Sequence, residues 1–190
     1  MTLSRNAVAA RIVWVWLAVS AVTVVASAQD TPRIQVFGGY SRLQFDSKSV
    51  GFNNNTGLNG WTGSAAFNFV PEFGVVGEVS GYYGPNLRVR DWLVGPQFMY
   101  GRWHALFFGH ILFGKGDTRI TTSATSETQN GRSIAFGGGV DYPVSNRFSI
   151  RVIQADYLTT HVFGADQGNM KFSTGVVFNW GSLKKRKRKL

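Results

Sequence analysis

Residues 169–180 read N-M-K-F-S-T-G-V-V-F-N-W, and their side chains divide into two sets. Met170, Phe172, Thr174, Val176, Phe178 and Trp180 form a bulky, mostly apolar set; Lys171, Ser173, Gly175, Val177 and Asn179 form a small or polar one. A period of two residues marks an extended strand whose two faces meet different surroundings. The segment is long, ends in an aromatic pair and stands near the C-terminus, which predicts the closing strand of a membrane β-barrel.

Seven further segments upstream carry the same alternation, intact or broken. Arg33 to Leu43 sets Ile34, Val36 and Tyr40 against Gln35 and Ser41, and Gly60 to Phe69 sets Trp61, Ala65, Phe67 and Phe69 against Thr62, Ser64 and Asn68. In Phe73 to Tyr83, Glu78 falls with the polar set. Asp91 to Tyr100 contains Pro96, which predicts a bulge or kink. Trp103 to Gly114 has large apolar residues on both faces and leaves His110 without an orientation. Arg132 to Tyr142 alternates cleanly, with Asp141 inward. Arg147 to Tyr157 carries Arg151 and Asp156 an odd number of residues apart, so a bulge near Ile153 and Gln154 is needed to turn both inward.

Long polar connections (residues 44–59, 84–90, 115–130 and 158–168) alternate with short ones (70–72, 101–102 and 143–146). Residues 115–130 have no apolar period and are expected to form a mobile, exposed loop. The fold class predicted is all-β: an eight-stranded antiparallel up-and-down transmembrane barrel, with long loops outside the cell and short turns in the periplasm. Closure removes the unpaired sheet edges that hydrocarbon penalises. Tyr40, Trp61, Tyr83, Trp92, Tyr100, Tyr142, Tyr157 and Trp180 fall near strand ends, as aromatic girdles do.

The chain has 190 residues, enough for one domain, and no cysteine, so it has no disulfide framework and no thiolate metal site or nucleophile. Arg5 and Arg11 precede an uncharged apolar run from Ile12 to Val25, followed by Ala26-Ser27-Ala28. That pattern predicts a signal peptide over residues 1–28, cleaved before Gln29. The run is shorter than the about 20 residues that a membrane helix needs. The barrel is expected over residues 29–181 and a basic disordered tail over residues 182–190. The net charge of +10 is concentrated in that tail, Lys184 to Lys189, and in the signal; residues 29–183 hold twelve basic and ten acidic side chains. Nucleic acid is therefore not an expected partner of the folded part. The tail is expected to be solvated, or to touch anionic lipid headgroups or an acidic cell-wall polymer.

Several of these stretches together, V-F-G-G-Y-S-R-L, G-V-V-G-E-V-S-G-Y-Y-G, I-A-F-G-G-G-V-D, R-V-I-Q-A-D-Y and S-T-G-V-V-F-N-W, resemble the outer-membrane β-barrel domain related to the transmembrane domain of outer membrane protein A. The resemblance spans Arg33 to Gly181. It implies an eight-stranded barrel in the outer membrane of a diderm bacterium, inserted by the outer-membrane assembly machinery, which reads a last strand ending in an aromatic residue. Phe178 and Trp180 match that assembly signal, although a basic tail follows them here. The resemblance also implies an interior network of opposed charges that blocks a water channel; strand placement nominates Glu78, Asp141, Arg151 and Lys171 for it. Only ten residues follow Trp180, so the periplasmic peptidoglycan-binding domain of many relatives is not expected here.

Enzymatic readings find little support. His104, His110 and His161 stand on separate segments without metal-pair spacing, G-x-S-x-G is absent, and Gly137-Gly138-Gly139 lies within a strand instead of opening a helix. His161 beside Thr159 and Thr160 is the one rim histidine that could serve a lipid-modifying enzyme. The expected function is that of a small structural outer-membrane protein, monomeric and without cofactor, whose loops serve surface interaction or adhesion and whose polar lumen is plugged. Two alternatives are a small non-specific pore and a soluble secreted ligand-binding barrel; the latter wants large apolar residues inside, the reverse of the alternation seen here.

Overall fold

The computed structural model describes residues 30–45, 56–84, 87–122, 125–162 and 165–183. These form eight strands: β1 (Thr31–Phe45), β2 (Thr56–Val70), β3 (Phe73–Tyr83), β4 (Leu87–Arg102), β5 (Ala105–Thr122), β6 (Thr125–Pro143), β7 (Phe148–Val162) and β8 (Ala165–Leu183). Each strand pairs antiparallel with its sequence neighbours, and β8 pairs with β1 to close the barrel. The closing ladder runs from Thr31 opposite Leu183, through Ile34 opposite Trp180 and Val36 opposite Phe178, to Gln44 opposite Met170. Residues 169–180 thus lie on the closing strand. The predicted leader and the basic tail, except for Ser182 and Leu183 at its start, lie outside the described residues.

Alternation decides which side chain points where. On β8, Lys171, Ser173, Val177 and Asn179 are buried inside while Val176, Phe178 and Trp180 are exposed outside. On β5, where large apolar residues occupy both faces, the structure orients the strand: Leu106, Phe108, His110 and Leu112 turn inward, and Phe107, Ile111 and Phe113 outward. His110 is therefore an interior residue. Its strand looked featureless because the interior there is itself partly apolar.

The strands are longer than the alternating segments at the loop-side end. Much of the expected loop at residues 115–130 is ladder: β5 and β6 continue pairing from Lys115 opposite Arg132 to Thr122 opposite Thr125. Residues 158–162 and 165–168 likewise extend β7 and β8 as one hairpin. Of the expected loop 44–59, only residues 46–55 lie outside the described strands. Beyond the apolar stretch the outer face turns polar, as at Lys115 and Arg119, so the two-residue signal fades while backbone pairing goes on.

Two local irregularities were expected, and both settle differently in detail. Pro96 causes no register shift: the β4–β5 ladder is interrupted at Gly95 and Pro96 and resumes unchanged at Gln97 opposite His110. Pro96 points outward, where its missing N–H costs one ladder bond. The β7 bulge exists but sits at Val152 and Ile153, which both face outward opposite Thr174. Thr174 Oγ1 donates to the Arg151 carbonyl at 2.9 Å and so satisfies a group in the bulged stretch. Arg151, Gln154 and Asp156 consequently all reach the interior.

The β4–β5 turn also moves. Arg102 still pairs with Ala105, and the turn residues are Trp103 and His104, not Gly101 and Arg102. Both have positive φ, 49° and 65°, as a two-residue hairpin turn requires. Neither is the glycine or asparagine that tolerates this conformation best, and the Arg102 guanidinium lies 3.8 Å from the Trp103 ring centroid. A left-handed conformation costs an L-residue about 1–2 kcal/mol. His104→Gly is expected to stabilise the folded barrel by roughly 1 kcal/mol, read as a higher urea midpoint in detergent. A lower midpoint would contradict this turn geometry.

Candidate functional site

The chemically distinctive part of the molecule is the inside of the barrel. Lys171 on β8 is fully buried between two carboxylates, forming ion pairs with Glu78 on β3 and with Asp156 on β7, the latter at 2.8 Å. Asp156 is also 2.9 Å from His110 Nε2 on β5. Arg151 on β7 makes a two-pronged pair with Asp141 on β6, with Nε and Nη2 donating at 2.8 and 3.0 Å. Gln154 joins the two groups. Its carbonyl oxygen accepts from Arg151 Nη1 at 2.7 Å, and its amide nitrogen donates to Glu78 at 3.0 Å and to Asp156 at 2.7 Å. Each charge thereby gains the partners that burial demands.

The four residues nominated from sequence, Glu78, Asp141, Arg151 and Lys171, all point into this interior, as two ion-paired groups. Asp156, His110 and Gln154 complete the cluster and were not nominated. Asp156 stood out only as Arg151's mismatched neighbour, Gln154 carried no charge, and His110 sat on the strand without alternation. Asp91 on β4 is a further buried carboxylate: Ser133 Oγ donates to it at 3.4 Å, and its other oxygen has no hydrogen-bond partner among the described residues.

Aromatic rings and glycines shape the pocket that Arg151 fills. Its guanidinium carbon lies 4.3 Å from the Phe37 ring centroid and 4.1 Å from that of Phe108, so the planar cation is stacked between two phenyl faces. Those rings need room on the inner wall. A Cβ on Gly139 would stand 2.8 Å from Phe108 Cζ, and one on Gly175 would stand 3.0 Å from Phe37 Cε2. Near the loop-side strand ends an apolar cluster including Leu43, Leu58, Tyr82, Val89 and Leu158 fills the interior. Amides line the turn side, where Asn68 donates to the Pro32 carbonyl at 2.7 Å and Asn179 to Ser149 Oγ at 2.7 Å.

The outer wall is the opposite. Val36, Phe67, Val75, Val94, Ile111, Phe136, Val152 and Val176 form an exposed apolar belt. Tyr40, Trp61, Tyr83, Trp92 and Tyr157 border it toward the loops, and Phe69, Phe73, Tyr142, Phe148, Phe178 and Trp180 toward the turns. Trp92 and Trp180 keep 64% and 69% of their surface exposed, a large apolar display for a protein in water. Tyr40 donates to Asn59 at 2.6 Å, and Trp61 Nε1 donates to the Tyr83 hydroxyl at 3.4 Å, giving this border the mixed character of an interface. Among the described residues no group of His, Asp and Glu has metal-site geometry. His110 lies inside, His104 lies at a turn, and the His161 side chain lies outside the described residues.

No protein-family model matches the sequence, and no curated protein matches it. Solved structures do match. Neisserial surface protein A aligns with TM-score 0.57 at 12% identity, covering 81% of this chain and 99% of that one. The N-terminal β-barrel domain of Pseudomonas aeruginosa OprF aligns with TM-score 0.52 at 12% identity, covering 80% and 100%. The Pseudomonas aeruginosa outer membrane protein OprG aligns with TM-score 0.52 at 9% identity, covering 80% and 97%. At these identities the likeness is one of fold: the chain has the closed eight-stranded barrel of these bacterial surface and outer-membrane proteins.

Removing Lys171 leaves Glu78 and Asp156 facing each other without their shared cation. Lys171→Met is expected to cost about 3–5 kcal/mol, seen as a lower urea midpoint of the barrel in detergent. Adding Glu78→Gln to it should recover part of the loss, because one of the two stranded carboxylates is then gone. No recovery in the double variant would count against this pairing.

Proposed function

We propose that the chain is a small structural protein of the outer membrane of a diderm bacterium, a barrel whose lumen is plugged and whose loop-side hairpins face the exterior for surface interaction or adhesion. The observation that carries this reading is the radial order of the barrel: an exposed apolar belt bordered by aromatic rows outside, ion-paired and apolar side chains filling the inside. Lipid suits that outer wall; a continuous water path does not suit that interior. Two of the long extracellular loops expected from sequence, 115–130 and 158–168, are largely continuations of the β5–β6 and β7–β8 hairpins.

Phe178 and Trp180 lie on the strand that closes the sheet against β1, which supports their role as the segment recognised by the outer-membrane assembly machinery. The pore reading is disfavoured by the cluster around Arg151 and Lys171 and by the apolar layer at Leu43, Leu58 and Tyr82. A soluble ligand-binding barrel is disfavoured by the inverted polarity of nearly every strand. The fold comparisons support the same reading.

Two measurements test it. The folded protein from the outer-membrane fraction should run faster on a detergent gel before boiling than after; a band that never shifts, or a protein that stays in the soluble fraction, would sink the membrane reading. In planar bilayers the protein should give no channel openings. Steady single-channel conductance would overturn the plugged lumen and favour the pore.

A further inference from the structure

On the loop side of the apolar belt, one part of the outer wall is basic. Arg88 and Arg90 on β4, Lys115 and Arg119 on β5 and Arg132 on β6 are all exposed. They alternate with the buried Val89, Asp91, Gly116 and Ser133, so they point outward. Pairing stacks them in rows. Trp92, Lys115 and Arg132 share the first row, Arg90 and Asp117 the next, and Arg88 and Arg119 the one beyond.

Two of these pairings, Lys115 with Arg132 and Arg88 with Arg119, set like charges directly opposite one another. Such neighbours repel across a ladder at a spacing of about 5 Å. Among the described residues Asp117 is the one acid on this face, so the patch keeps a clear positive excess. The turn-side cations are arranged differently. Arg33, Arg102 and Arg147 are scattered around the barrel, and Arg33 and Arg102 lie over the rings of Phe67 and Trp103.

The first basic row begins at Trp92, on the border of the belt. That is the depth at which a lipid's phosphates stand, since indole and phenol side chains settle at the headgroup level. Guanidinium groups present paired donors that match phosphate oxygens, and lysine adds a compact charge. A surface facing bulk water would have its charges screened by mobile ions; one in contact with a headgroup layer can have them neutralised by fixed phosphates. We propose that the outer wall of β4, β5 and β6 binds the phosphate groups of anionic lipids in the loop-side leaflet. This rests on the outer-membrane reading and deepens it by naming a lipid class and the wall that selects it.

The test uses the folded protein, stripped of lipid in a non-ionic detergent and offered phosphatidylglycerol or phosphatidylcholine, with bound lipid counted by native mass spectrometry. The wild type should retain phosphatidylglycerol about tenfold or more over phosphatidylcholine. Substituting Arg88→Gln, Arg90→Gln, Lys115→Gln and Arg132→Gln together should abolish that preference, whereas Arg33→Gln, Arg102→Gln and Arg147→Gln together should keep it. An undiminished preference in the first variant, or an equal loss in both, overturns the proposal. Inorganic polyphosphate displacing the lipid at equal phosphate concentration also overturns it, in favour of a soluble polyanion. Without any variant, raising the salt should erode the wild type's preference, and a salt-independent preference counts against a charge-based site. The gel shift on boiling is recorded for every sample. Lost lipid preference in a shifting barrel is then distinct from failure of the membrane reading, in which no sample shifts.

Discussion

The ladder between β1 and β8 is the constraint on which the other features depend. An open sheet of these strands would leave a row of N–H and C=O groups unpaired along each edge. Pairing Ile34 with Trp180 and its neighbours removes both edges at once. It also makes the interior narrow. Eight strands enclose a space only wide enough for side chains to fill, so bulk on one strand has to be matched by its absence on another. Phe37 and Phe108 face glycines for this reason, and the gap between the two rings is the slot in which Arg151 lies.

Burying so many charges is not an obvious way to stabilise a protein. Well-packed apolar residues of similar volume often do as well or better than a buried ion pair. The cluster has a more definite effect on register. Glu78, His110, Asp141, Arg151, Gln154, Asp156 and Lys171 come from five strands, and a slip of one residue on any of these would turn its charged or polar group toward the belt. The bulge at Val152 and Ile153 shows the same rule in miniature: it spends two outward residues so that Arg151 and Gln154 can both remain inside.

Much of this was legible in the sequence because the outward and inward faces of most strands differ so sharply. The order of the strands, the ends of β3 and the inward placement of Glu78, Asp141 and Lys171 follow from alternation; Arg151 joins them only with the β7 bulge. Where both faces carry similar residues, as on β5, the signal vanished, and His110 vanished with it. Where the outer face becomes polar, as beyond Gly114, pairing continues without any trace in the side chains. The position of the β4–β5 turn was hidden for another reason. Trp103 and His104 look like strand residues, and Gly101 looks like a turn residue, yet tertiary pairing of Arg102 with Ala105 overrides both preferences.

The closing ladder also divides the folding problem into two kinds of step. Seven ladders join neighbours along the chain and can form as hairpins at little cost in loop closure. The eighth joins Thr31 to Leu183, so almost the whole described chain is the loop that it closes. Contacts of such long sequence separation form late and slowly. Until then the curled sheet has two live edges, and each can pair with another molecule as readily as with its own other end. The chain's window of vulnerability is therefore the interval before this seam shuts, and a catalyst of folding would act with greatest effect on β8 and β1.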